Sequence, residues 1–358
     1  RKLDKSVNPD LQLTEFLDKV EFPYVPKYAG KIDLQNHEHA IVLGKIQEAE
    51  DYQNDARHYF LDFLQRYYET VQMRSDDPEQ FPLKGSFTKP IAFEEMEDEH
   101  MIEIFNMVAV EQVRLLGERT AELHAALASE KEDSEFYPEE FSLHYQRSLF
   151  SAFQSPVREV YHALERKYDQ IPESIRDDVG RIFPLKHKVL QVLKKVYSNK
   201  LDIMKIRTHG NFKLRHVLYT GRDFVFINFK GSPGKTYSQR RLKKSPLSDI
   251  ASIISSFHYI AYEGILKNQN IRKEDINALR PWAEKWFHYM VQIYLRAYLD
   301  RTNGNRFIPE NDEDFKNILN VFLLEMAIHR LSDELEAPSE RILIPTICII
   351  KILEQYND

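Results

Sequence analysis

Apolar residues recur at helical spacing along most of this 358-residue chain. Seven long stretches carry the pattern, at about 101–129, 141–170, 173–198, 247–267, 274–301, 313–336 and 342–355, and each is predicted to be a helix with one or more buried faces. Pro184 is expected to kink or split the third, because proline removes a backbone donor and crowds the preceding turn. A shorter helix, Leu11 to Val20, opens at Asn8-Pro-Asp and is ended by Phe22-Pro-Tyr-Val-Pro. Another spans Asp55 to Met73. Strand patterns are few. Lys31 to Gln47 reads as two short strands, Ile203 to Thr208 as a third, and Val217–Tyr219 with Phe224–Ile227 as a hairpin across Thr220-Gly-Arg-Asp. Residues 74–100 are rich in Pro, Asp and Glu, and the run Glu94-Glu-Met-Glu-Asp-Glu reads as a solvated loop or helix entry rather than a metal cluster. The pattern predicts an α+β protein, predominantly helical: a small β part, then a helical body with one embedded hairpin. It contains no internal repeat or low-complexity tract.

Composition adds limits rather than an identity. With 42% apolar and 29% charged residues the chain reads as an ordinary soluble globular protein. No apolar run reaches bilayer length and no signal-peptide pattern opens the chain, so a cytoplasmic location without membrane contact is expected. The single Cys348, in an apolar stretch, is expected to be a buried core thiol, which excludes disulfide frameworks and Cys-rich zinc sites. The opening at Arg1 without an initiator Met suggests a piece of something longer.

Charge is unevenly spread. The net charge is −7, but residues 205–244 hold eleven Lys and Arg against the single Asp223, a net +10 that leaves −17 for the remainder. Such a segment reads either as a solvated face or as an anion-attracting patch; a nucleic-acid partner is not expected, since Phe212, Phe224, Phe226 and Phe229 have a simpler role as the hairpin's core.

The same segment contains His209-Gly-Asn-Phe-Lys-Leu-Arg-His-Val-Leu and Asn228-Phe-Lys-Gly-Ser-Pro. Elsewhere stand Leu116-Gly-Glu-Arg-Thr-Ala-Glu-Leu-His-Ala-Ala-Leu-Ala, Phe136-Tyr-Pro-Glu-Glu-Phe, Tyr145-Gln-Arg-Ser-Leu, Ser245-Pro-Leu-Ser-Asp-Ile-Ala and Ser256-Phe-His-Tyr. Together these stretches resemble bacterial maltokinases, particularly the form fused to trehalose synthase. The resemblance covers nearly the whole chain, although the family's first β strands have no counterpart. It implies the kinase-like fold of aminoglycoside phosphotransferases, with residues 1–47 as the remnant of the small lobe and 48–358 as the helical lobe carrying a catalytic-loop hairpin at 203–233. The family reaction it implies is ATP- and Mg²⁺-dependent phosphorylation of maltose to maltose 1-phosphate.

The family's loop reads His-Gly-Asp-x-His-Leu-Gly-Gln-Val-Leu, and its metal-binding strand ends Asp-Phe-Glu-Gly-Glu-Pro. Against that pattern His209, Gly210, Leu214, Val217, Leu218, Phe229, Gly231 and Pro233 are kept, while the polar members that would touch substrate or metal are replaced. Asn211 stands where the resemblance implies the base that accepts the acceptor hydroxyl's proton, and an amide is not a base at neutral pH. His216 stands at the position of the family's Gln ligand and Asn228 at that of its bridging Asp, whereas Mg²⁺ prefers hard, charged oxygens. Lys213, Arg215 and Lys230 place cations where a dication should sit. No metal site and no bound cofactor are therefore expected. No phosphate-gripping glycine loop is present, and none of the early lysines, Lys45 included, has an obvious strand context for gripping phosphates. The family's late Tyr-Glu-Leu-Asn-Asn-Arg-Pro-x-Trp motif is replaced by Leu331-Ser-Asp-Glu-Leu-Glu-Ala-Pro-Ser.

The expectation is a maltokinase-like domain of trehalose, maltose or α-glucan metabolism that cannot transfer phosphate and serves as scaffold or regulator of a trehalose-synthase-type partner, covalently joined or separate. The alternatives are a module that binds a phosphosugar or other anion on its basic former active site (His216, Asn228, Lys230, Lys213 and Arg215), and an active maltokinase with an unconventional base. Several residues also have plainer roles. His209 could be catalytic but is expected to hold its turn; Asp249 is expected to be structural, either on the loop backbone or at its helix's first turn; Trp282 and Trp286 read as core; His124 reads as a packed or half-exposed helix residue. His37-Glu-His39 has a spacing metals can use but reads as a polar edge strand.

Overall fold

The computed structural model describes residues 7–36, 39–74, 76–82, 84–86, 88–96, 104–268 and 271–356. Asn8 caps the first helix, α1 (Pro9–Lys19), by accepting the N–H groups of Asp10 and Leu11, with Pro9 in the first turn where its missing donor costs nothing. Two antiparallel strands follow, β1 (Tyr28–Asn36) and β2 (His39–Gln47), longer than the periodicity suggests. His37 and Glu38 lie outside the described residues, as does the side chain of His39.

This hairpin turns its polarity around. Ile32, Leu34, Leu43 and Ile46 are about half exposed, while the Lys45 ammonium reaches inward to Asp10 Oδ1 at 3.0 Å and Thr14 Oγ1 at 2.9 Å. Gln47 donates to the Pro26 carbonyl at 3.0 Å. The sheet is thus tied to α1 by hydrogen bonds rather than by an apolar face.

The chain then enters the helical body through β3 (Asn54–Asp55) and α2 (Ala56–Arg74). A 3₁₀ turn at Pro78–Gln80 and the single-turn α3 (Phe93–Met96) are described before α4 (Met107–Leu127), which is capped by Asn106. The two-residue β4 (Glu139–Glu140) precedes α5 (Leu143–Lys167), whose Phe153, Val157, Val160, Tyr161 and Leu164 form one buried stripe. As Pro184 predicts, the next helical stretch is broken: α6 (Glu173–Gly180), a 3₁₀ turn at Phe183–Leu185, then α7 (Lys186–Lys194).

The strand expected over 203–208 shrinks to β5 (Met204–Lys205), paired with β4, plus one bridge between Ile206 and Lys244. The hairpin is β6 (Val217–Tyr219) and β7 (Phe224–Phe226), and β3 adds a third strand that the periodicity missed, in the order β3-β6-β7. A two-residue strand has no period to detect. Its turn is fixed by Asp223, which is gripped by Arg119 of α4 at 2.8–2.9 Å. After the short α8 (Tyr237–Arg240), the body is completed by α9 (Leu247–Leu266), α10 (Ile276–Thr302), α11 (Asp312–Glu336) and α12 (Leu343–Glu354).

Helix α9 is buried on nearly every side, so it is the centre around which α2, α10, α11 and α12 pack. Trp282 and Trp286 lie inside this core, and Phe212, Phe224, Phe226 and Phe229 join the hairpin to it. Cys348 is half-buried on α12; its thiol lines a small, mainly apolar cavity, where desolvation pushes its pKa up to about 12. Among the described residues no helix is long and apolar enough to cross a membrane.

Helices α4 and α10 approach closely at Gly117, where an added Cβ would meet Tyr294 O at 2.5 Å and Ala297 Cβ at 3.0 Å. Gly117→Ala is therefore expected to destabilise the fold by about 1–3 kcal/mol, because α4 and α10 must part. Leu34→Ser on the outward face of β1 is expected to stay within about 0.5 kcal/mol of the parent. Urea unfolding of both variants checks the contrast; equal losses would contradict this packing.

Candidate functional site

The loop from His209 to His216 is built on one buried carboxylate. Asp249, in the first turn of α9, accepts the His209 N–H at 2.7 Å on Oδ2 and the Gly210 N–H at 3.0 Å on Oδ1. His124, fully buried on α4, faces the same carboxylate with Nε2 at 3.5 Å, while its Nδ1 lies 2.9 Å from the Tyr298 hydroxyl. Because Asp249 can only accept, His124 Nε2 carries the proton and Nδ1 accepts from Tyr298. Burial alone would raise the Asp249 pKa; interaction with His124, led by its hydrogen bond, then with His209 and the Gly210 N–H, overcomes this and holds the carboxyl below its ordinary value.

His209 does what its plainer reading predicts. Its Nε2 donates to the Ile227 carbonyl at 3.0 Å, tying the loop to the strand end, and its ring packs against Phe212 and Phe229 with centroids 5.0 and 4.7 Å away. Its buried Nδ1 has no protein partner, and desolvation lowers its pKa, so the ring is neutral. Gly210 (φ 74°) and Gly231 (φ 68°) adopt left-handed backbone where the two loops touch; a Cβ on Gly210 would sit 3.5 Å from the Gly231 Cα. Asn228 also has positive φ (67°), a conformation that Asn tolerates better than most residues.

The geometry brings the candidate polar residues to one surface. Asn211 is half-buried; its carbonyl accepts from His216 Nδ1 at 2.8 Å, and among the described residues its side-chain amide has no protein partner. His216 is desolvated and its pKa is pushed down to about 4, with Arg215 and Lys213 adding repulsion, so it too is neutral at pH 7. Asn228 is half-buried beside the exposed Lys230. Lys45 was passed over in the sequence because a lone lysine in a nine-residue strand carries no local signature. The structure corrects this: Lys45 sits on β2, close enough to Lys230 for the two charges to oppose each other, and desolvation followed by that repulsion lowers its pKa despite Asp10.

A kinase-type Mg²⁺ does not fit these donors. Asn211 and Asn228 bring no charge, His216 Nδ1–H is committed to a carbonyl, and Lys45 and Lys230 supply positive charge instead. Among the described residues no group of three His, Cys, Asp or Glu side chains comes together to hold a metal ion.

The uniform basic patch suggested by the sequence divides on inspection. Lys205 and Lys243 pair with Glu139 at 2.5 and 2.7 Å. Arg207, almost fully buried, donates to Gln12 at 2.8 Å and lies 5.1 Å over the Phe136 ring; Arg241 pairs with Glu135 at 2.5 Å. Arg240 captures the Lys235, Lys230 and Pro233 carbonyls at 2.7–3.1 Å. These five cations are structural. Lys213 and Arg215 are not paired in this way, and Arg330 of α11, which nothing in its local sequence marks out, lies close enough for its charge to oppose theirs.

No family model matches the sequence. Among solved structures, a glucosamine kinase superposes with TM-score 0.68 at 13% identity, covering 99% of this chain and 72% of that one. Another, glucosamine kinase in complex with glucosamine, ADP and inorganic phosphate, gives TM-score 0.67 at 13% identity, covering 99% and 70%. The chain therefore has a kinase-like α+β fold.

Asp249→Asn is expected to cost about 3 kcal/mol near neutral pH, since the amide keeps one acceptor oxygen and leaves the other buried backbone N–H facing an NH2 donor. The Asp249 pKa is lower in the folded chain, so its contribution is present above about pH 4 and is lost as pH falls through the folded value; the gap to the variant should close there. Urea denaturation from pH 7 to pH 3 checks this.

Lys213 behaves oppositely. Desolvation first, then Arg330 and Arg215, push its pKa down to about 8, so its charge is disfavoured in the folded chain below that pH. Lys213→Met is expected to raise stability at pH 7 by about 1–2 kcal/mol after allowance for solvent screening. The advantage should shrink between about pH 8 and 10.5, where only the unfolded lysine stays protonated. A pH series of melting curves measures it; a variant less stable at pH 7 would contradict this electrostatic picture.

Proposed function

We propose that this chain is a maltokinase-like domain whose cleft does not transfer phosphate. In this reading residues 1–47 are what remains of the small lobe and 48–358 form the helical lobe. The domain serves as scaffold or regulator of a trehalose-synthase-type partner in maltose, trehalose or α-glucan metabolism. The single observation that carries the reading is the set Asn211, His216 and Asn228 on an intact loop framework, with His216 neutral and Lys45 and Lys230 beside it. Phosphoryl transfer depends on positioning plus charge stabilisation by metal ions and on a base or orienting group for the nucleophile. The loop positions are kept here, and the groups that would supply charge and accept a proton are amides, a protonated imidazole Nδ1 and ammonium groups. The glucosamine kinases of the same fold are named for sugar phosphorylation, which supports a sugar-kinase ancestry for the cleft.

Incubation with ATP, Mg²⁺ and maltose is expected to yield no maltose 1-phosphate above background. The quadruple change Asn211→Asp, His216→Gln, Asn228→Asp, Lys230→Glu should bind Mg²⁺ more tightly than the parent by calorimetry. Formation of maltose 1-phosphate by the parent at about 1 s⁻¹ or faster would overturn the reading. Mixed with a maltose–trehalose interconverting enzyme, the chain should co-elute in size-exclusion chromatography; separate elution at micromolar concentration would remove the scaffold role.

A further inference from the structure

The cations around the loop fall into two groups, and one of them is built at a cost. Lys213 follows Asn211 by two residues, at the entry to the 3₁₀ turn Leu214–His216, and Arg215 lies within that turn. Arg330 comes to them from α11. Its guanidinium lies 5.2 Å over the ring of Tyr259, so its face is held by a π system and its N–H edge is left over. The nearest buried carboxylate, Glu334, is already occupied: Oε1 accepts from the Tyr259 hydroxyl at 2.5 Å and Oε2 from Arg341 at 2.9–3.0 Å. Among the described residues neither Lys213 Nζ nor the Arg330 guanidinium donates to a protein acceptor. The acid that does bear on both is the exposed Asp333.

Three cations against one acid leave a local charge of about +2 in a partly desolvated place. Five other cations of the same segment show that this chain pairs its basic groups where pairing serves the fold, through Glu135, Glu139, Gln12 or backbone carbonyls. Lys213 and Arg330 depart from that rule, and Lys213 stands two residues from Asn211, whose side-chain amide has no protein partner among the described residues. A phosphate monoester carries about −1.5 to −2 at neutral pH and offers three acceptor oxygens, which matches both the charge and the unused donors. A guanidinium fork and an ammonium are the side chains suited to such a group.

We propose that Lys213, Arg215 and Arg330 hold the phosphate of a small phosphate monoester on the loop surface, with the Asn211 amide reaching the rest of the ligand. This rests on the reading of the cleft as non-transferring, and it names what the cleft takes instead: a phosphorylated ligand is bound as such, without chemistry.

Calorimetric titration of the full chain, without ATP or Mg²⁺, tests this with glucose 1-phosphate, AMP, inorganic phosphate and maltose. At least one of the two esters should bind saturably, and whichever binds more tightly identifies the source as sugar or nucleotide. Affinity should fall at least about fivefold between about 20 and 200 mM NaCl, as expected for a partly exposed charged contact. Lys213→Met and Arg330→Met should each weaken binding by about tenfold or more, while Lys89→Met, which breaks only a surface pair with Asp312, leaves it unchanged. Melting curves recorded alongside separate lost binding from lost folding. Absence of saturation by both esters below about 10 mM overturns the proposal, as do equal affinity for maltose and binding unchanged in both folded variants. The transfer assay uses ATP and Mg²⁺ and this titration uses neither, so each can fail without the other.

Discussion

The loop surface depends on the carboxylate of Asp249. Two consecutive backbone N–H groups, from His209 and Gly210, point at its two oxygens, and this fixes where the chain turns before Asn211. Burying a carboxylate is expensive unless its acceptor sites are filled, and His124 supplies a further donor while Tyr298 fixes which of its nitrogens carries the proton. The network joins α4, α9 and α10 at one point. Residues that act on the backbone, namely Asp249, His209, Gly210 and Gly231, therefore answer to the fold. They persist whether or not anything is transferred above them. The side-chain amide of Asn211, unpartnered among the described residues, has no such duty, whereas His216 also ties the loop through its Nδ1 bond to the Asn211 carbonyl.

That separation explains how much could be read from the sequence. Long helices announce themselves through apolar period, and α5, α9, α10 and α11 lie close to where the pattern puts them. The Pro184 break and the β6–β7 hairpin likewise follow from local rules. What escaped was short or inverted. Strands β3, β4 and β5 have two residues each, too few for any alternation. In β1 and β2 the apolar Ile32, Leu34, Leu43 and Ile46 are exposed, while Lys45 and Gln47 bind α1 and its neighbouring loop rather than pointing to solvent. A rule that assigns apolar residues to the interior reads such a hairpin inside out.

The neighbourhood of the candidate residues was legible in the sequence, and their charge states were not. Asn211, His216, Asn228, Lys213, Arg215 and Lys230 do share one surface, as their spacing around a loop and hairpin requires. The net +10 of residues 205–244 suggested a single patch, and tertiary pairing divides it, since the acids that neutralise it stand far away in the chain, at Glu135 and Glu139. Arg330 lies more than a hundred residues from Lys213, in a helix whose sequence gives no hint that one arginine turns toward the loop. Only packing could place it there.

The amide substitutions and the added cations also constrain each other. In a cleft that holds a divalent ion, a second ammonium near Lys45 would compete with that ion for the same region. Here Lys45 is drawn off by Asp10 and Thr14, and Lys230 lies close enough to oppose it, an arrangement that sets two positive charges against any dication placed between them. Changing Asn211 alone to a carboxylate would therefore supply a proton acceptor to a site still lacking charged metal ligands, with Lys45 and Lys230 opposing a dication nearby. In the proposed reading the deficit is collective, spread over base, metal ligands and electrostatic surroundings, and a single carboxylate does not supply all three.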